Sequence, residues 1–411
     1  PLEYDLELKL GQVLLRSSGS VEDARTGRGA DLTVSFSGPE MARVLEYLNL
    51  PPLSDGGFDF RMTLDSGEQL TDLSIDGDLG SLELDASGQL DQLLQPQSGA
   101  VNLALSGPNL RALGEALRVE RLVPDAFDLQ AAVSFNDGIA RADTLVLNTA
   151  QDRLELGGVL GPAPRFANSR LVAHAATSDI GRWRARAGLP EATVGPAVLS
   201  GELTSDSTGA FSVTADLTYV GSSVHIEGGV RTAEGLVQPD VAFSLESPDA
   251  AEFAMRLGLE KVPGVPFSAE GRLTLAESML QLRQVEAALG NHRAAIDGFV
   301  NPAAPFTGTS FELNIDSPDA AELGGLLGRD DLPAAPLSVS GEVSRPGEEI
   351  LLNAVRVSLA GHRINLDGRV YPEKPFIGSS ATVHLVSANI AELGRLQRDH
   401  PDDDNQTIQN N

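Results

Sequence analysis

Six histidines, at His174, His225, His292, His362, His384 and His400, and 58 aspartates and glutamates are the groups in this 411-residue chain that could hold a metal or move a proton. Such chemistry needs three or four ligands, or an acid and a base, converging on one place that the rest of the chain does not reproduce. The spacing points the other way. His292 and His362 stand 70 residues apart, as do Asp249 and Asp319, and Asp297 and Asp367. A residue that returns once per period is explained by the repeat before it is explained by ligation. His225 and His384 fall on the polar side of alternating segments. Trp183, the sole tryptophan, takes the place of Phe253 and Leu323 in later copies and reads as a packing anchor. No acid pair or Ser/His/Asp set is unique to one copy, so the chain reads as a non-enzyme with no catalytic residue, no metal site and no cofactor.

The elements that position these residues are announced by a column of glycines, Gly19, Gly88, Gly158, Gly228, Gly298 and Gly368, spaced 69 or 70 residues apart. Self-similarity at a fixed period marks a repeat architecture, in which domain counting by length misleads. The expectation is a single repeating array over 1–398: a partial first copy over 1–56, copies near 57–126, 127–196, 197–266, 267–336 and 337–398, and a disordered polar tail over 399–411. Because the alternating pattern is already under way at Tyr4, Leu6, Leu8 and Leu10, the chain is read as a fragment of something longer, its sheet continuing upstream.

Each copy holds four strand-like runs with strict period-two alternation. In the last copy strand one carries Leu337, Val339, Gly341 and Val343 on one face and Ser338, Ser340, Glu342 and Ser344 on the other. Short turns with glycine or small polar residues join strands two and three, so the strands are expected to be antiparallel neighbours in a meander, 23 in all. After strand four comes Ser317-Pro318-Asp319-Ala320-Ala321-Glu322-Leu323, matching Ser247 to Phe253, which predicts a helix of two or three turns with serine as N-cap and proline at the first helical position. The acidic or amide position recurs at Glu40, Asn109, Asp179, Asp249, Asp319 and Asn389, giving six short helices. The fold class is therefore mostly β: a long curled antiparallel sheet in 70-residue repeats, a taco-like β-groove with one short helix per repeat.

One face is apolar in every strand. Its residues include Leu129, Ala131 and Val133; Leu199, Gly201 and Leu203; Phe243 and Leu245; Phe267, Ala269 and Leu273; and Leu313 and Ile315. In the last copy they are Val339 and Val343; Val355 and Val357; Ile364, Leu366, Gly368 and Val370; and Val383 and Leu385. Six narrow helix stripes cannot cover this area, so the sheet either curls into an open gutter or closes into a dry β-sandwich. An aromatic content of 5% and abundant Ala, Gly and Val leave little bulk to fill a closed interior, and the glycine column is read as lying on the concave side, where the sheet bends. The net charge of -28 repels phosphate backbones and excludes nucleic acid as a partner. No run approaches 18 apolar residues, so nothing in the chain reads as a membrane-spanning helix.

The ordered series Ser317 to Gly324, Leu332-Pro333, Pro336 to Val343 and Asn365 to Val370, recurring from Gly19 to Leu396, resembles the AsmA-like family of Gram-negative envelopes. The resemblance implies a repeating β-groove shared with bridge-like lipid transfer proteins, in which phospholipid acyl chains lie along an apolar trough. The apolar residues named above would then line that groove. It further implies a periplasmic location, tethering to the inner membrane by an N-terminal helix absent from this chain, and membrane proteins as partners at one or both ends. The function expected is to conduct or hold glycerophospholipid between inner and outer membranes, in outer-membrane biogenesis. The alternative is a structural or assembly-factor repeat protein of the envelope with a closed dry core and no lipid cargo.

Overall fold

The computed structural model describes residues 2–23, 29–40, 56–67, 70–91, 97–116, 122–183, 193–233, 236–256, 262–276, 279–301, 307–326, 332–371 and 378–387. Among the described residues the protein is mostly β, with 23 antiparallel strands in a sheet that does not close and three short α-helices. The chain divides into two compact units, Pro1–Val220 and Gly221–Asn411. The stretch read as a polar tail lies outside the described residues.

The N-terminal unit begins with β1 (Leu2–Leu10), β2 (Val13–Val21), β3 (Asp31–Gly38), β4 (Phe58–Ser66), β5 (Thr71–Leu79), β6 (Leu82–Leu90) and β7 (Ser98–Gly107). It continues with α1 (Leu110–Ala116), β8 (Phe127–Asn136), β9 (Ile139–Thr149), β10 (Asp152–Leu160), β11 (Arg170–Thr177), a 3-10 turn at Ile180–Trp183, β12 (Ala197–Ser205) and β13 (Phe211–Tyr219). The C-terminal unit comprises β14 (Ser222–Ala233), β15 (Leu236–Ser247), α2 (Ala250–Arg256), β16 (Phe267–Ala276), β17 (Met279–Leu289), β18 (His292–Val300) and β19 (Thr309–Ser317). It ends with α3 (Ala320–Leu326), β20 (Leu337–Arg345), β21 (Ile350–Leu359), β22 (His362–Val370) and β23 (Ser380–Ser387). Within each unit every strand pairs antiparallel with its neighbour in sequence, from Leu8↔Leu15 onward in the first and from Val224↔Leu245 onward in the second. The meander expected from the turns is thus present.

The two ends of the strands differ. Among the described residues, one rim carries the turns between strands two and three and the helical segments, and the other carries hairpin turns and loops without a helix. The helices are capped by the Asx column and not by serine. Asp249 Oδ1 accepts from the backbone N–H of Ala251 and Glu252, at 2.9 and 3.2 Å, and Asp319 Oδ1 from Ala321 at 2.9 Å. Ser247 and Ser317 instead close their strands as buried residues, the Ser317 hydroxyl donating to the Asp319 carbonyl at 2.7 Å. The prolines therefore stand just before the cap, not at the first helical position. Of the six expected helices, those at Glu40 and Asn389 fall outside the described residues, and the one at Asp179 is a single 3-10 turn. The main buried cluster, Phe58, Leu79, Leu82, Leu110, Leu113, Val123 and Phe127, sits at this helical rim.

The glycine column has a backbone cause. A Cβ built on Gly19, Gly158 or Gly298 would lie 2.0, 2.0 or 2.1 Å from the carbonyl oxygen of Asp31, Arg170 or Ser310 in the next strand, and these three glycines have φ of 151°, 131° and 153°. The same oxygen contact recurs at Gly88, Gly228 and Gly368. The missing side chain leaves no free room over the sheet, because the adjacent strand's backbone takes it. Gly271 and Gly341 serve a different purpose. They face β-bulges in β17 and β21, where Val285 and Val355 would press on any added Cβ. Gly158→Ala is expected to destabilise the protein by about 1–3 kcal/mol, through steric and φ strain. Gly157→Ala is expected to be near neutral, because its nearest neighbour would lie at 3.6 Å. Thermal melts of the two variants check the contrast.

Candidate functional site

The cross-strand register lines the apolar residues up in files, each residue directly opposite the next. One file of the N-terminal unit runs Leu8, Leu15, Phe36, Phe60, Gly77, Leu84, Leu105, Leu129, Leu147, Leu154, Ala175, Leu199 and Leu217 across all of its strands. The neighbouring files pass through Ala131 and Leu156, and through Gly19, Gly88 and Gly158. In the C-terminal unit a file runs Val224, Leu245, Ala269, Ala287, Ala294, Ile315, Val339, Val357, Ile364 and Leu385. No charged side chain enters any of the three files of either unit. The only polar members, Tyr4 and Ser17, spend their hydroxyls on each other at 2.8 Å. Opposite-face neighbours such as Glu312, Asn314 and Asp316 are exposed.

All 23 residues singled out from the sequence fall on this one face, though not all are open to it. Leu129, Leu313, Val339, Ile364 and Leu366 are half-buried, and Val383 and Leu385 on β23 are 60% and 62% exposed. Val355 is buried, seated in its bulge beneath Gly341, and Phe267 belongs to the helical rim, opposite Ser247 and Leu289. Only 18 hydrophobic side chains are buried among the described residues, too few for a second layer to cover the face.

Lining residues that the sequence reading passed over lie on both sides of the bulges. Leu280 and Leu282 face the same way as Val285, Ala287 and Leu289, although the spacing slips from even to odd; Ile350 and Leu352 do so with Val355, Val357 and Leu359. The slip itself is the signal that could have revealed them. It is absorbed at Gln284 and Ala354, with φ of 50° and 49°, whose backbone N–H groups donate to Asp297 Oδ2 at 2.9 Å and Asp367 Oδ1 at 2.8 Å. The repeating aspartates beside the glycine column are thereby bulge caps.

The histidine pair behaves as the repeat does. His292 is 4% exposed at the helical rim, with Nδ1 2.8 Å from Ser317 Oγ and Nε2 3.8 Å from Glu322 Oε2 of α3; His362 occupies the same place one repeat on. One copy does break the regularity. There Asp152 stands where His292 stands later, and Arg182 where Glu322 does, so the charges are exchanged. Arg182 Nη1 donates to Asp152 Oδ2 at 3.2 Å, and Nη2 donates to Asp125; Trp183 Nε1 donates to Asp152 Oδ1 at 3.1 Å. Trp183 also packs on the main cluster, so it anchors by both contacts. The guanidinium bridges two carboxylates, an arrangement that ties the turn to the start of β10 and to the loop before β8. Among the described residues no three of His, Asp and Glu converge as metal ligands would, and no helix is long and apolar enough to cross a membrane.

Arg182→Met is expected to cost about 2–4 kcal/mol, because it strands two poorly solvated carboxylates. Arg170→Met, which loses only an exposed pair with Glu202, is expected to cost less than about 1 kcal/mol, and urea unfolding of both variants tests the difference. Compared with protein-family models, with curated proteins and with solved structures, the chain has no match.

Proposed function

We propose that the protein holds or conducts lipid hydrocarbon against its apolar face, as a periplasmic β-groove between inner and outer membranes, with glycerophospholipid as the cargo. The observation that carries this reading is the set of charge-free apolar files that cross the strands of each unit and that no second layer covers among the described residues. A soluble protein leaves so large a contiguous apolar area open only where something else is to occupy it. The identity of the cargo as glycerophospholipid, and the placing in the envelope, rest on the resemblance to AsmA-like proteins.

Energetics favour movement over storage in one place. Sheltering a methylene is worth about 0.8 kcal/mol, so a tail of roughly fifteen carbons, half covered by the face, gains on the order of 6 kcal/mol. Because the same aliphatic composition returns strand after strand, that gain changes little from one position to the next. Lipid can therefore shift along the files without leaving a deep well. A closed dry core is the weaker reading, since the sheet does not close and few side chains are buried.

Photoreactive residues on β22 test the proposal. With purified protein, a probe at Leu366 is expected to crosslink phospholipid, and one at its outward neighbour Asn365 is not. Labelling at Asn365 but not Leu366, or native mass spectra free of lipid after exposure to phospholipid vesicles, would overturn it.

A further inference from the structure

The geometry points to one-sided access: a phospholipid on the apolar face carries its head group over the helix-free rim, and the helical rim is sealed against it. This inference rests on the lipid reading above and adds to it where the polar end of the molecule goes.

The helical rim is tied shut by a repeated device. In each helical segment the first backbone N–H donates to a carbonyl of the loop returning to the sheet: Leu110 to Asp125, Ile180 to Gly195, Ala250 to Val265 and Ala320 to Ala335, all at 2.8 Å. Each segment is thereby strapped to the residues that lead into the following strand. The hairpin turns at the same rim are fastened to these loops, the Gly290 N–H donating to the Pro266 carbonyl at 2.8 Å and that of Ala360 to Pro336 at 3.2 Å. Beneath the straps the first residues of the strands are buried, including Leu82, Ser222, His292 and His362. A head group arriving here would have to displace packed side chains and break buried hydrogen bonds such as that between His292 Nδ1 and Ser317 Oγ.

The opposite rim carries no helix among the described residues. Its connections are hairpin turns and loops, such as those at Asp137-Gly138 and between Arg345 and Ile350. Among the described residues fewer are buried there, and Ala30, Thr71, Ser169, Ser205 and Thr309 among them are small or polar. The hydrophobic clusters that would have to open lie at the far side. A lipid whose tails rest on the files can thus keep its charged end in water only by turning it toward this rim, since moving a charge into the strapped rim would strip it of solvent.

The chain has no cysteine, which makes the test direct. Single cysteines replace Asn136 or Glu348 at the helix-free rim, and Ser81 or Asn291 in exposed turns of the helical rim. The full chain is loaded from phosphatidylcholine vesicles containing a phosphatidylethanolamine with maleimide on its head group, and adducts are followed by mass spectrometry. Head-group adducts are expected to form faster at Asn136→Cys and Glu348→Cys than at Ser81→Cys and Asn291→Cys, by on the order of tenfold, because binding raises the local maleimide concentration. Rates are normalised to free N-ethylmaleimide at each site. A tail-labelled diazirine phosphatidylcholine, run in parallel, should mark Leu156 and Leu313. Tail labelling with equal or reversed head-group rates overturns the sided access alone. Absence of tail labelling overturns the lipid reading and this inference with it.

Discussion

Everything in this molecule depends on keeping one phase. Side chains alternate between the two faces of a strand, so a one-residue slip anywhere would turn all the apolar residues beyond it toward water. Within each unit the protein holds the phase by pairing sequence neighbours, which lets each turn set the register of the next ladder. Where the sequence itself slips, in β9, β17, β21 and β23, a bulge takes up the extra residue. In β17 and β21 a carboxylate thirteen residues ahead holds that bulge closed. The price is a bend, and glycine at 271 or 341 on the preceding strand makes the room.

The two glycine sets therefore solve two problems. One admits the carbonyl of the next strand and the other admits a bulged valine. Neither set leaves open space over the sheet. The lipid proposal stands on the files of leucine, valine and alanine, and the glycines contribute by letting consecutive ladders stay in register through local bends.

Much of the fold was legible because its information is local. Alternation in segments such as Leu337 to Ser344, turn residues between Leu359 and His362, and the recurring Asp249 and Asp319 each report on structure within a few residues. The face assignment of every candidate lining residue followed from that alternation alone. What escaped depends on residues distant in sequence or on an unusual φ. The bulge at Gln284 is completed by Asp297, and the ion pair at Arg182 draws on Asp125 from the loop before β8 and Asp152 from the start of β10. The serine cap was misjudged because Ser317 and Asp319 are both good capping residues; the buried strand end claimed the serine first.

The strictly neighbour-to-neighbour ladders make length a free parameter. A residue in β8 pairs only with β7 and β9, so excising or duplicating one 70-residue period would break no pairing that the adjoining period could not supply. Stability should then rise nearly linearly with copy number, and gene duplication could lengthen the molecule by a fixed stride of about four strands, roughly 19 Å of sheet at ~4.8 Å per strand. The reach of such a protein is set by counting, in the way a ladder is extended by adding rungs.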